Sequence, residues 1–224
     1  MPSAPTRRFL LACALALAPP FTASALAAQT PAASSSQAFV RSNLGSTIAQ
    51  LSKPGLSAAE RSQKFGALMD QFADLPRIAE FVLGRYAAQL RQDRALYQEW
   101  QRAFRDYAVT VYQGQLDQYT AERFEVGKAQ ESERNGRRYS IVSTKLFRPN
   151  GDVLDVDWRL IQTETGWRVI DVALKSGEST VWLSLTQQSE FLSFLRANNG
   201  DLRALVRDVE ARTKTIRDLM ADRR

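Results

Sequence analysis

The stretch VLDVDWRLIQTETGWRVIDVAL, residues 153–174, decides the fold. Its first half alternates polar side chains with four apolar ones, Leu154, Val156, Trp158 and Leu160. That period of two is typical of a strand with one buried face. Thr165-Gly166 marks a turn, and the run Trp167–Lys175 then carries apolar residues on both of its faces. We therefore predict two antiparallel strands, the second of them covered on both sides.

Two more strand-like segments precede this pair. Asn135-Gly136 and Asn150-Gly151 separate them, and Asn-Gly between alternating apolar residues is a strong hairpin signal. The short connections favour an antiparallel meander over a parallel sheet. The four predicted strands are Arg123–Val126, Arg138–Arg148, Val153–Gln162 and Trp167–Lys175.

Four helices are predicted before the sheet. SAAE at 57–60 forms a capping box, Asp74 followed by Pro76 opens a third helix, and Asp93 opens a fourth. Their apolar stripes are Val40, Leu44, Ile48 and Leu51; Phe65, Leu68, Met69 and Phe72; Ile78, Phe81, Val82, Tyr86 and Leu90; and Leu96, Trp100, Phe104, Tyr107, Val111 and Tyr112.

Two helices are predicted after the sheet. The first carries Val181, Leu185, Leu192 and Leu195 on one face and stops at Asn198-Asn199-Gly200. The second carries Leu202, Leu205, Val206, Val209, Ile216 and Met220. Helices, an antiparallel sheet and helices again predict an α+β fold, with residues 37–224 forming one domain.

The N-terminal segment has the pattern of an export signal. Arg7 and Arg8 precede a short apolar run, and Ala25-Leu26-Ala27 is a cleavage site of the A-x-A type. We interpret residues 1–27 as a secretory signal peptide and residues 28–36 as a disordered linker, so we expect the mature protein in an exported compartment. The alternatives are twin-arginine export through Arg7-Arg8 and lipidation at Cys13; the general secretory route is preferred.

Composition excludes several kinds of chemistry. The chain has no His, so a Ser-His-Asp triad and a His-ligated metal are excluded, and its one cysteine, Cys13, lies in the predicted signal peptide. The net charge of +6 falls to +4 without Arg7 and Arg8. No basic stripe is interleaved with aromatic residues, so a nucleic-acid partner is not expected.

Carboxylate, tyrosine or Ser–Lys chemistry, an oxygen-ligated cation, or no chemistry at all remain open, and the carboxylates are considered first. Asp155 and Asp157 share a strand face near Asp152 and Asn150, but this spacing lacks the glycine and terminal glutamate of a calcium loop, and we predict no metal site. Asp171 alternates with apolar neighbours and is either a buried structural acceptor or a catalytic base. Motifs of serine hydrolases and phosphate-binding loops are missing from the sequence.

Aromatic residues are the conspicuous feature of the mature chain. They fill a core or line an apolar cavity, and their periodicity alone does not distinguish these two uses. The residues concerned are Phe72, Phe81, Tyr86, Trp100, Phe104, Tyr107, Trp158 and Trp167.

Three segments resemble the MlaC family, the toluene-tolerance auxiliary proteins that carry lipid in the periplasm of Gram-negative bacteria. They are FADLPRIAEFVLGRYAAQL at 72–90, WQRAFRDYAVTVYQGQLDQY at 100–119 and VLDVDWRLIQTETGWRVIDVAL at 153–174. The LGRY element and the W-R-V-x-D-V element are the most specific. The resemblance extends over roughly residues 37–209.

The resemblance implies a fold related to the cystatin/NTF2-like cup, with an interior pocket for the acyl chains of a phospholipid cargo and no cofactor. It also implies partners: an outer-membrane lipoprotein complex and an inner-membrane ABC transporter that together maintain outer-membrane lipid asymmetry. Combined with the apolar stripes, it predicts a lipid-binding pocket lined by Phe81, Val82, Tyr86, Trp100, Phe104, Tyr107, Val111, Val156, Trp158, Leu160 and Val169.

One region departs from the family pattern. Family members commonly carry a G-V-S-L-like element and a Tyr-Arg pair after the last strand, whereas this chain has GESTV at 177–181 and QQSEF at 187–191. These residues, with ERFEV at 122–126, resemble a hopanoid-associated branch of the superfamily, so the lipid class stays open.

Three functional hypotheses follow. A carrier needs an apolar pocket, an NTF2-like enzyme needs a perturbed carboxylate such as Asp171 facing that pocket, and a protein-binding scaffold needs only a filled core. The absence of catalytic motifs and the many inward apolar residues favour the carrier, which is not an enzyme.

Overall fold

In a computed structural model, the chain is described at residues 35–51, 53, 55–116, 123–148, 150–176 and 179–222. The predicted signal peptide at 1–27 and all but the last two residues of the predicted linker lie outside these residues. The helices are α1 (Ser36–Leu51), α2 (Ala58–Phe72), α3 (Leu75–Phe81), α4 (Ala87–Leu90), α5 (Arg94–Leu116), α6 (Leu183–Ala197) and α7 (Leu202–Ala221). The strands are β1 (Arg123–Arg134), β2 (Arg137–Phe147), β3 (Val153–Thr163), β4 (Gly166–Ser176) and β5 (Ser179–Trp182).

The strands form one antiparallel sheet in the order β1-β2-β3-β4-β5. The predicted meander and the α+β class are therefore confirmed. At the first hairpin Asn135 and Gly136 have φ values of 51° and 68°, which suit a two-residue turn that requires positive φ at both positions. Asn-Gly tolerates this conformation, so the turn and the register of β1 against β2 follow from local chemistry.

Two predictions about the strands were wrong. The first strand does not stop at Val126 but continues to Arg134, with a register shift between Val126 and Ala129. Its outer half is exposed, so no apolar alternation marks it. The prediction of four strands also missed β5, whose backbone pairs with the edge of β4 over only four residues, too few for a periodic signal.

The predicted helix starts at Ser57, Asp74 and Asp93 are confirmed. Ser57 and Glu60 form the reciprocal capping box at the start of α2. The carboxylate of Asp74 accepts from the Arg77 amide at 3.2 Å, and that of Asp93 accepts from the Leu96 amide at 3.0 Å. Each carboxylate satisfies an amide that a helix N-terminus otherwise leaves unpaired.

The third predicted helix is interrupted, which is a correction. A single helix was expected from Asp74 to Leu90, but α3 ends at Phe81 and a 3₁₀ turn at Gly84–Tyr86 leads into α4. Gly84 has a φ of +51°, and an added Cβ there would lie 3.4 Å from the Leu192 side chain of α6. The interruption between α3 and α4 therefore lies where the backbone at Gly84 packs against α6. The described residues therefore hold seven α-helices rather than six.

The first helix after the sheet, α6, begins later than predicted. Val181 was placed on its apolar stripe but lies in β5 and is exposed, and Leu185, within α6, is 46% exposed. The buried face of α6 is instead formed by Ser184, Gln187, Phe191 and Leu195. Leu195 is on the buried face as predicted, whereas Leu185 and Leu192 each lie one position after a buried residue.

Two separate hydrophobic clusters hold the described residues together. The larger joins α3, α4, α5, α6 and α7 around Trp100, Phe104 and Phe191, whose rings lie 5.6–6.5 Å apart. The smaller cluster joins α1 to the sheet and consists of Val40, Val142, Leu160 and Trp167. Among the described residues, no helix is both long and apolar enough to cross a bilayer.

Candidate functional site

A cavity of about 470 Å³ lies between the sheet and helices α1, α2 and α5. Ligand pockets are typically ~300–1,000 Å³, so the volume is that of a binding site rather than a packing defect. Its lining is overwhelmingly apolar. Apolar walls offer water few hydrogen bonds, so water occupies such a cavity poorly. An apolar ligand is therefore the occupant that stabilises it most.

Helices α1 and α2 form one wall. Side chains spaced by three and four residues share a face of a helix, which brings whole stripes of both helices against the cavity. From α1 these are Phe39, Val40, Asn43, Leu44, Thr47, Ile48 and Leu51, and from α2 they are Arg61, Phe65, Leu68, Met69 and Phe72.

The sheet forms the facing wall. Leu146 pairs with Leu154, and Val156 pairs with Leu174 across the neighbouring strands. Trp158 pairs with Val172 in the next inward position. Because side chains alternate between the two faces of a strand, these paired residues lie in one apolar layer, and all six line the cavity.

Few polar groups reach the cavity, and Tyr112 is one of them. Burial raises the pKa of Tyr112 well above its ordinary value, and the carboxylate of Asp171 raises it further. The phenol therefore stays neutral throughout the physiological pH range.

Asp171 is a buried structural acceptor. Its Oδ1 accepts from the amides of Val172 and Ser184 at 2.9 and 3.0 Å, and its Oδ2 accepts from the Ser184 hydroxyl at 2.5 Å and from Arg159 Nη1 at 3.3 Å. A carboxylate offers about four lone-pair positions, so these four donors saturate it. The group joins β3 and β4 to the start of α6, and no position is left for a substrate proton.

Replacing Asp171 with asparagine should therefore change stability and not ligand capture. The new amide would place a donor opposite donors of Ser184 or Arg159, which we expect to cost ~2 kcal/mol of unfolding free energy. Asp157→Asn is the control, because Asp157 is also buried but bonds Ser143 and Lys175 away from the cavity. Thermal unfolding and bound lipid per folded molecule are the measurements. Lipid loss in a stable Asp171→Asn protein would contradict the structural role.

Four of the eleven predicted pocket residues line the cavity. They are Phe104, Val156, Trp158 and Val169. The predicted position was between the sheet and helices α3 and α5, whereas the cavity opens mainly against α1 and α2.

The other seven predicted residues lie elsewhere. Val82, Trp100 and Tyr107 are buried in the helical cluster, with Tyr86 and Val111 packed against it. Leu160 belongs to the sheet cluster, and Phe81 is 42% exposed at the end of α3. Of the eleven predicted residues, the first four therefore border the cavity and these seven do not.

Sequence reasoning missed the α1–α2 wall. The stripes of Leu44 and Ile48 on α1 and of Phe65 and Met69 on α2 were recognised as inward faces. Their pairing with the sheet across a gap had no sequence signal, because a stripe facing a void and a stripe facing a solid core have the same period.

The acidic residues of β3 do not form a cluster. Asp157 is bound by Ser143 Oγ at 2.6 Å and by Lys175 Nζ at 2.9 Å. Asp152 lies beside Asn150 in the turn before the strand. Within the part of the chain that the structure describes, no three acidic residues come together as metal ligands do.

An antiparallel sheet that closes with helices on an apolar cavity defines the class of α+β proteins with an interior ligand pocket. Residues 41–211 match the MlaC protein family, and the chain belongs to this family. It matches no curated protein. A solved structure with the same fold is the phospholipid-binding protein from Ralstonia solanacearum in complex with a phospholipid. The two chains are 23% identical with a TM-score of 0.61, covering 80% of this chain and 97% of that one.

Proposed function

We propose that the protein is a phospholipid carrier that holds acyl chains in the cavity between α1, α2 and the sheet. The observation that carries this proposal is the apolar lining around about 470 Å³ of empty space. Each methylene group taken out of water contributes ~0.8 kcal/mol, so acyl chains favour such a cavity over an aqueous path between membranes. The headgroup stays at the cavity mouth, where it keeps its hydration.

The proposal extends to location and partners. Export through the signal at 1–27 would place the mature chain, beginning near Ala28, in the periplasm, and N-terminal sequencing of the exported protein tests this. Membership of the MlaC family supports a shuttle between an outer-membrane lipoprotein complex and an inner-membrane ABC transporter. The saturated hydrogen bonding of Asp171 argues against the enzyme alternative, in which this carboxylate acts as a base.

The chain purified from its native host without detergent should carry bound lipid. We expect native mass spectrometry to show a mass increment that disappears on denaturation, and extraction to identify the increment as phospholipid. Recovery of hopanoids instead would favour the hopanoid-associated branch. If neither the native protein nor a delipidated sample exposed to vesicles of phosphatidylethanolamine and phosphatidylglycerol retains lipid, the carrier proposal is wrong.

A further inference from the structure

The cavity wall carries one positive charge without a matching carboxylate. Two of its described lining residues are charged, Arg61 and Asp171. Arg159 neutralises Asp171 with a contact of 3.3 Å. Arg61 has no carboxylate within ion-pair distance among the described residues, and its side chain bonds a neutral carbonyl oxygen. Because Arg159, outside the lining, already pairs with Asp171, the charge left uncompensated at the cavity wall is the positive charge of Arg61.

Arg61 projects from the first turn of α2 towards the last residue of α1. Its Nη1 donates to the carbonyl oxygen of Leu51 at 2.7 Å, and the residue is only half-buried. A guanidinium has five N–H donors, so this single bond leaves most of its capacity for another acceptor. Leu51 and Arg61 both line the cavity, so this bond holds the guanidinium at the cavity wall.

A second donor on the same wall also lacks a partner. Within the described part of the chain, the buried Nδ2 of Asn43, on α1, has no hydrogen-bond partner. Asn43, Thr47 and Leu51 follow one another at intervals of four and share a side of α1, facing the cavity. A buried unpaired donor is costly, and a ligand oxygen would relieve that cost. This wall is therefore complementary to a ligand that carries oxygen acceptors as well as hydrocarbon.

Resting on the proposed carrier function, we infer that Arg61 binds the anionic group of the lipid and makes the cavity selective for acidic amphiphiles over neutral ones. The anion is a phosphodiester or a free carboxylate, both of which accept two parallel bonds from a guanidinium. The acyl chains then lie beyond Arg61 in the apolar part of the cavity.

The chain offers a matched control for a purely structural role. Arg168 donates to the carbonyl oxygens of Asp70 and Gln71 near the end of α2, much as Arg61 caps α1. Arg168 does not line the cavity. If capping a helix C-terminus were the whole role of Arg61, then Arg61→Met and Arg168→Met would have similar consequences.

The test uses the mature protein, delipidated and mixed with one of three probes: dipalmitoylphosphatidylglycerol, dipalmitoylglycerol or palmitate. Bound lipid is measured by native mass spectrometry over a concentration series. We expect wild type to prefer the anionic probes, and Arg61→Met to weaken phosphatidylglycerol binding roughly tenfold while leaving dipalmitoylglycerol binding unchanged. Arg61→Lys should restore part of the loss, and Arg168→Met should bind as wild type.

Each outcome decides the inference. A loss confined to palmitate keeps the anion site and assigns it to a carboxylate. Equal binding of both anionic probes, phosphatidylglycerol and palmitate, by Arg61→Met, Arg168→Met and wild type overturns the inference, while dipalmitoylglycerol binding by the same proteins would leave the carrier proposal standing. Failure of wild type to bind any of the three probes overturns the carrier proposal itself, and the inference with it. Thermal unfolding of both variants shows whether each remains folded.

Discussion

Val156→Asp should abolish lipid binding. Val156 is 3% exposed, faces the cavity from the middle of β3 and would contact any acyl chain held there. An aspartate at this position must stay ionised beside hydrocarbon or take up a proton, and each costs several kcal/mol. The empty cavity can hydrate around the carboxylate, whereas the loaded cavity cannot. We expect bound lipid to fall about 100-fold or more.

The same strand supplies the control for this experiment. Val153 is 47% exposed and does not line the cavity, so Val153→Asp should bind lipid as wild type does. Leu154 also lines the cavity but is only half-buried, so an aspartate there keeps more contact with water. Leu154→Asp is therefore the second wall variant, to be used if Val156→Asp does not fold. Normal lipid loading in a well-folded Leu154→Asp or Val156→Asp protein would refute this location for the acyl chains.

Trp100→Ala should have the largest effect on stability. The indole is 1% exposed, contacts the rings of Phe104 and Phe191, and donates from Nε1 to the carbonyl oxygen of Ala79 at 2.8 Å. Truncating a buried tryptophan leaves a large void, for which ~3–5 kcal/mol is usual. For a chain of this size the loss lowers the melting temperature by roughly 10 °C or more. Calorimetry and circular dichroism measure both quantities.

The tryptophan experiment also decides whether this residue touches lipid, as the sequence predicted. Trp100 lies in the helical cluster outside the cavity, so lipid bound per folded molecule should not change. Trp100→Phe keeps most of the volume and should remain folded at ordinary temperature. Reduced lipid in folded Trp100→Phe would place Trp100 in the binding site and contradict the cavity boundary. Trp158→Ala, which alters the cavity lining, should change lipid binding instead.

The strongest local signals predicted the fold well. Asn135-Gly136 adopts the positive φ values that its hairpin requires, and Asp74 and Asp93 cap their helices through bonds within four residues. Each of these features depends on neighbours in sequence. The break at Gly84 depends instead on Leu192 of α6, which is distant in sequence, and it was missed. The short strand β5 follows β4 closely in sequence, but it was missed because four paired residues give no periodic signal.

The residues that line the cavity were harder to predict than the fold, and α5 shows the reason. Its stripe contains Trp100, Phe104 and Tyr107, three large aromatic residues that suggest a lined pocket. Phe104 contacts the cavity, yet Trp100 and Tyr107 pack against Phe191 of α6 and are enclosed by solid core. The Val111 stripe position likewise packs into the helical cluster. Only the neighbours of each side chain distinguish the two environments.

The sequence by itself determined the α+β order of elements, the meander and its turns, and the inward faces of α1, α2 and α5, because these follow from local backbone preferences and from the period of apolar residues. Tertiary structure decided where the empty space lies. Hydrophobic periodicity indicates which side chains are turned away from water. It does not indicate whether those side chains face packed atoms or an empty cavity. The spacing of α1 and α2 from the sheet leaves about 470 Å³ unfilled, while α5, α6 and α7 close tightly on one another.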